Sequence, residues 1–204
     1  YMYIEHDIKF SENNLQYWLK YQDLLAKKKF HLGFFIYEMN NTNNQKHCIH
    51  ISKKLDKFFE IDSQSFIVND LENYFCFWIY TNQQFQNFLK SNWWSFKKRA
   101  HNFRHNYGIT ERSAIGFHAL SMNHFKATLI PEKNNQPHPD SFIEHITNNY
   151  FEKFPGLNKE YYFDIRGACK FQINEIIIDS ENKKKLSDNF YLKKFIKSFL
   201  WKFR

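Results

Sequence analysis

Three side chains whose chemistry could converge stand near the middle of the chain: His118, His124 and Lys126. From His124 to Leu129 polarity alternates. As a strand this puts His124, Lys126 and Thr128 on one face and Phe125, Ala127 and Leu129 on the other. A loop at Ser121–Asn123 would set Leu120 opposite His124 and His118 opposite Lys126, bringing both imidazoles and the ammonium to one side of a hairpin. Such a trio can hold a divalent metal or take a phosphate directly. The same residues also read as a half-exposed sheet face whose rings are satisfied by backbone or water.

Just upstream lies a stretch both aromatic and basic, Trp93 to His105. In a helix over 83–105, Phe85, Phe88, Leu89, Phe96, Ala100 and Phe103 form an apolar stripe. Lys90, Trp94, Lys97, His101 and Arg104 share another face, with Lys98 and Arg99 beside it. Lysine and arginine neutralise phosphates, and a tryptophan face stacks on unpaired bases. Lys90, Trp94, Lys97, Lys98, Arg99 and Arg104 are therefore the expected nucleic-acid contacts. A solvated helix face is the competing explanation. A second basic run, Lys193 to Arg204, favours a polyanion partner. A membrane surface fits less well, because the apolar side of each helix is committed to a core.

Other constellations carry less chemistry. His47 and His50 are spaced to point to opposite faces of a strand. Asp164 and Arg166 share a strand face, the pattern of a phosphate-handling pair and, more often, of a cross-strand salt bridge. Glu111-Arg112 and His138–Asp140 could line the cleft of an RNase or a nucleotide-modifying toxin. The chain has no glycine-rich phosphate loop, GxSxG or HExxH, which sets aside P-loop NTPases, α/β-hydrolases and zincins. Cys48, Cys76 and Cys169 form no CxxC, so neither a disulfide framework nor a cysteine zinc site is indicated, and a reducing, cytoplasmic setting is expected.

The chain has 204 residues, 43% of them hydrophobic, enough to bury a core without staples. It carries 29 Lys+Arg against 21 Asp+Glu, a net charge of +8 that draws polyanions. The wealth of Asn, Lys, Phe, Ile and Tyr is also what an AT-rich genome encodes, so aromatic content is no functional clue by itself. No apolar run is long enough to span a bilayer. Tyr1 before Met2 reads as a residue left from an expression tag.

The elements that must position these residues follow from periodicity and punctuation. Ser11 caps a helix to about Lys28 whose apolar positions are Leu15, Trp18, Leu19, Leu25 and Ala26. Strands at 33–38 and 47–51 flank an Asn-rich turn, followed by a short helix at 53–59 and irregular chain to Asp70. The apolar run 75–81 predicts a central strand covered on both faces, with Asn82 capping the basic helix and Gly108 closing it. Strands at 114–120 and 124–130 come next, the second stopped by Pro131, with a polar loop at 132–138. A helix at 139–154, strands at 161–165 and 170–178, and a helix at 190–203 capped by Asp188 complete the chain. The fold class is α+β: an antiparallel sheet with helices packed on it and an N-terminal hairpin-plus-helix extension. One domain, 1–204, is expected, with 1–70 as an N-terminal subdomain and 71–204 as the main α+β core.

Between Phe75 and Lys194 the element order resembles the HUH family of rolling-circle replication initiators and relaxases, above all the replication proteins of filamentous phages and their integrated remnants. The shared order is apolar strand, basic helix, histidine-bearing strand pair, helix, then a tyrosine on a later helix. In that family a His-x-His strand and a third ligand hold Mg²⁺ or Mn²⁺, and the tyrosine of a Y-x-x-K motif attacks a DNA phosphate. The resemblance implies His124 as the first histidine, His118 as the third ligand, and Tyr191-Leu192-Lys193-Lys194 as the tyrosine motif. Tyr191 would be the nucleophile, with Lys194 and Lys126 beside it. The chain departs from the pattern at Lys126, which stands where the second histidine belongs and as an ammonium repels a divalent cation. The expectation is a cytoplasmic nucleic-acid-binding protein of phage or mobile-element type, DNA favoured over RNA, acting as a replication-initiator-like strand nickase or transferase. The alternative is a non-enzymatic regulator or inhibitor that binds nucleic acid or a nucleic-acid-handling protein.

Overall fold

A computed structural model describes residues 1–40, 43–49, 51, 53–69, 77–90, 94–95, 128–147, 171–177 and 183–187. In chain order its first half holds β1 (Met2–Ile4), β2 (Ile8–Lys9), α1 (Glu12–Lys27), β3 (His31–Leu32), β4 (Phe35–Asn40), β5 (Gln45–Cys48), β6 (Lys57–Ile61) and β7 (Gln64–Asn69). There follow β8 (Phe77–Ile79), α2 (Asn82–Lys90), β9 (Thr128–Lys133), β10 (Gln136–Pro137), a 3-10 turn at Pro139–Ser141, β11 (Phe142–His145), β12 (Phe171–Gln172) and β13 (Lys184–Lys185). Helices and mostly antiparallel sheets together make the fold broadly α+β.

The helix α1 forms where its sequence predicts. Ser11 Oγ accepts from Asn14 N at 3.3 Å, and Asn14 Oδ1 accepts from Ser11 N at 2.8 Å, a capping box with asparagine in the usual Glu/Gln place. The buried stripe is Asn14, Tyr17, Trp18, Tyr21, Gln22 and Leu25, while Leu15 and Leu19 face outward. The inward face is thus set by tyrosines, whose rings bury while a hydroxyl finds a partner. The Tyr17 hydroxyl donates to Gly33 O at 2.8 Å.

Two larger sheets share this helix. One has the order β10-β9-β7-β6-β13, with β3 also paired to β9; the other runs β12-β5-β4-β11-β2. The chain steps from the first sheet to the second at Gly33–Phe34, between β3 and β4. Gly33 N donates to Leu129 O at 2.8 Å. A Cβ at position 33 would lie 2.4 Å from Thr128 Cγ2, so β9 leaves no room for a side chain there. Neighbouring residues enter different cores, as the two-residue pleat requires: Ile36, Phe66 and Leu129 pack in the α1-side cluster, Phe35, Ile67 and Ile130 in the other. The pairs β1–β8, β7–β9 and β4–β11 each join strands from either side of residue 70.

Several elements differ from their sequence expectations. In place of a helix at 53–59 and irregular chain to Asp70 stands the hairpin β6–β7. Its two-residue turn, Asp62-Ser63, has φ of 48° and 64°, the left-handed pair that suits strand twist, here without glycine. Pro131 does not stop its strand, and the predicted loop 132–138 is a second hairpin turning at Asn134-Asn135. His138 N donates to Pro131 O at 2.9 Å, so the proline's missing donor faces the short edge strand, where it costs least.

The predicted helix at 139–154 is, as far as residue 147, a 3-10 turn followed by β11, which runs parallel to β4. Asn14 Nδ2 donates to the carbonyls of Asp140 and Phe142 at 2.7 and 3.0 Å, taking acceptors that a continuing helix would need. The strand at 75–81 pairs, among the described residues, with β1 alone, and Trp78 is only half-buried, so it is not a central strand there. Thr81 rather than Asn82 caps α2, exchanging bonds with Gln84 at 3.2 and 2.9 Å. Of the strand predicted at 170–178, the described residues 171–177 hold β12 and a bridge from Ile177 to Leu55, and β1, β2 and β13 have no sequence signal.

His31 on β3 is half-buried, with its Nε2 enclosed and its ring 5.4 Å from that of Tyr80. Burial lowers its pKa from 6.5 to about 4, against a smaller opposing effect of the Ile79 backbone. The unfolded chain thus takes up a proton near 6.5 that the folded chain resists until about 4, and acid favours unfolding across that window. Urea denaturation at neutral and acid pH should show a loss of about 3 kcal/mol from this group, absent in His31→Phe. An equal acid loss in the variant would contradict this assignment.

Candidate functional site

Of the expected nucleic-acid contacts, Lys90 and Trp94 are described. Lys90 ends α2 and is exposed. Trp94 is 51% exposed and stands edge-on to Phe88, ring centroids 6.0 Å apart. Of the helix expected over 83–105, the described part is α2 as far as Lys90, and Trp94 has 3-10 rather than α geometry. Lys97, Lys98, Arg99, Arg104, His118, His124, Lys126, Tyr191 and Lys194 lie outside the described residues, as do Asp164, Arg166, Glu111 and Arg112. Thr128, expected on the face of His124 and Lys126, is buried at its end of β9, on the side that Gly33 covers.

The described part of the His138–Asp140 constellation is structural. The His138 ring lies 5.3 Å from Tyr17 and 5.7 Å from Tyr21, and its Nδ1 accepts from Asp140 N at 3.3 Å. Cys48 is buried, which raises its thiol far above the range of a nucleophile.

A cluster that sequence reading missed joins Asp7, in the turn before β2, to β4 and β11. Glu38 shares a face of β4 with Ile36 and is fully buried. Its Oε1 lies 2.6 Å from His145 Nδ1, and Asp7 Oδ2 lies 3.2 Å from His145 Nε2. Thr147 Oγ1 stands 3.4 Å from the same Nε2. Burial alone lowers the His145 pKa, but the bonds and charges of Glu38 and Asp7 outweigh it and the net shift is upward. Both ring nitrogens face carboxylates, so the ring is held as an imidazolium with no lone pair to offer a metal or a substrate proton. The cluster is an ionic clamp that ties β4, β11 and the turn before β2 together. The signal that could have exposed it is Glu38 itself, an acid at an inward position within an apolar run, which must be paired. Among the described residues no group of three His, Cys, Asp or Glu is arranged to hold a metal ion.

On the opposite face of β4 a cleft of about 390 Å³ is lined by Tyr37, Lys46, Gln136, Pro137, Phe142 and Asn174, among others. Lys46 Nζ sits 4.8 Å above the Tyr37 ring. Four lysines on or beside other described strands are paired with acids. Lys183 pairs with Glu132, Lys185 with Glu60, Lys184 with Asp56 at 3.4 Å and Lys9 with Glu144 at 3.3 Å.

Comparison with protein-family models, with curated proteins and with solved structures yields no match. Among the described residues no helix is long and apolar enough to cross a membrane.

Proposed function

We propose that the protein binds nucleic acid through two segments that hold its positive charge, residues 90–126 and 193–204. The first carries seven Lys or Arg against one acid, Glu111; the second carries five and no acid. The rest of the chain has 17 cationic side chains and 20 acidic ones, so the whole excess resides in those two stretches. This segregation is the observation that carries the reading. Solubilising charge would be spread, whereas phosphate contacts need it gathered. Paired lysines on the described strands and the exposed Trp94 at the head of the first segment support it.

A labelled oligonucleotide titrated by fluorescence anisotropy should bind with an affinity that falls about a hundredfold between roughly 50 and 200 mM salt. Affinity that ignores salt, or no binding to single- or double-stranded DNA or RNA, would end the proposal.

A second reading, strand transfer of the rolling-circle kind, rests on Tyr191-x-x-Lys194. The donor set His118, His124 and Lys126 does not fit Mg²⁺ or Mn²⁺, which favour oxygen ligands and are repelled by an ammonium. Binding without cleavage is therefore the stronger reading, in the manner of a regulator. Supercoiled plasmid incubated with either ion is expected to remain intact. Nicking that disappears in Tyr191→Phe while binding persists would establish the transferase reading instead.

A further inference from the structure

The cleft beside β4 has features of a ligand site that the clamp and the basic segments do not use. Its volume, about 390 Å³, falls in the range of small-molecule sites. Strand register gathers its lining: Tyr37 pairs with Cys48 and Met39 with Lys46 on β4–β5, while Phe35 pairs with Phe142 on β11. Tyr37, Lys46 and Phe142 therefore share one face of the sheet.

Two of its polar groups are free to meet a ligand. The Tyr37 ring is largely buried, while its hydroxyl makes no hydrogen bond among the described residues and is not enclosed, so it is open to a ligand in the cleft. Burial, then the charge of Glu144, holds the phenol above its ordinary pKa, so it is a neutral donor. Lys46 meets no carboxylate among the described residues, unlike Lys9, Lys183, Lys184 and Lys185; its ammonium rests on the Tyr37 ring. An anion entering the cleft would give Lys46 a charge-assisted bond in place of that ring contact.

The remaining walls select what carries the anion. Phe142, already stacked on Phe35 at 5.5 Å, offers a flat apolar surface together with Pro137, Pro139 and Ile173. Gln136 and Asn174, both exposed, also line the cleft, and an amide side chain can both donate to and accept from the edge of a base. Phosphate alone would leave the apolar wall bare, and an acyl chain would leave both amides unmatched. We infer that this cleft binds a single nucleotide, its phosphate on Lys46 and Tyr37 and its base against Phe142 and the prolines. The nucleotide is either a free mononucleotide or one unpaired residue of a strand; only the second source rests on the nucleic-acid binding proposed above.

The test is calorimetric titration of the full chain with each nucleoside 5′-monophosphate, with inorganic phosphate and with adenosine, alongside anisotropy with a short single-stranded oligonucleotide. Lys46→Met and Asn174→Ala alter exposed positions and should fold. Saturable binding of a mononucleotide, about tenfold weaker or more in both variants and for phosphate or adenosine alone, is expected for a free-nucleotide site. A similar loss of oligonucleotide affinity in both variants, without mononucleotide binding, would identify a residue of a strand as the occupant. No mononucleotide saturation together with oligonucleotide affinity unchanged in Lys46→Met overturns the site. If no oligonucleotide binds the wild-type protein, the general proposal fails, and the mononucleotide titration alone decides for or against the cleft.

Discussion

Glu38→Ala is expected to lower the unfolding free energy by about 3–5 kcal/mol, the cost of removing one member of a buried ion pair. The carboxylate is fully buried and lies 2.6 Å from His145 Nδ1, so its loss strands a ring that burial alone would deprotonate. His145→Ala should be at least as damaging, because Glu38 and Asp7 would then face each other without the cation between them. Glu38→Gln keeps the shape and one hydrogen bond, and should cost roughly half as much. The clamp also sets a pH dependence. The folded His145 pKa lies above 6.5, so its contribution is fully present below 6.5 and is lost as pH rises through the raised value. That is the opposite sense to His31, and Glu38→Gln should flatten the alkaline limb while leaving the acid limb intact. Urea unfolding followed by circular dichroism reads both. A cost for Glu38→Ala below about 1 kcal/mol, the value of an exposed pair, would show that the three groups do not act as a clamp.

The largest effect on binding is expected from charge reversal inside the first basic segment. Lys97→Glu, Lys98→Glu and Arg99→Glu together should weaken oligonucleotide binding by about a hundredfold or more and reduce the salt slope by roughly two to three units, one for each lost phosphate contact. The matched control is Lys27→Glu, Lys28→Glu and Lys29→Glu at the end of α1, which changes net charge by the same amount. It should alter affinity by no more than about threefold through the general field of the protein. Equal losses in the two triples would mean that affinity follows net charge and not its location.

What could be read from the sequence follows from where each decision is made. The helix α1 was legible because Ser11, its capping box and a helical period lie within one turn of each other. Its inner face was misjudged because Tyr17 and Tyr21 bury more completely than the leucines beside them. The hairpin β6–β7 was missed because Asp62-Ser63 takes two left-handed residues without the glycine that usually announces them. Strand β11 was beyond local reading. Pro139, Asp140 and Ser141 carry helix-start chemistry, and the outcome is decided by Asn14, 126 residues from Asp140. The same holds for the clamp and the cleft. Glu38 and Tyr37 are adjacent in sequence, and only the register of β4 with β5 and β11 shows that one meets His145 and the other Lys46. Charge segregation, by contrast, is wholly a property of sequence, and it alone carries the proposed partner class.

The most direct measurement is ultraviolet crosslinking of a bound oligonucleotide, with the attachment sites mapped by peptide mass spectrometry. Crosslinks are expected in peptides from residues 90–126 and 193–204, Trp94 among them, and they should vanish at high salt. Crosslinks confined to residues 1–69, or none at an oligonucleotide concentration that saturates the anisotropy signal, would contradict binding through those segments.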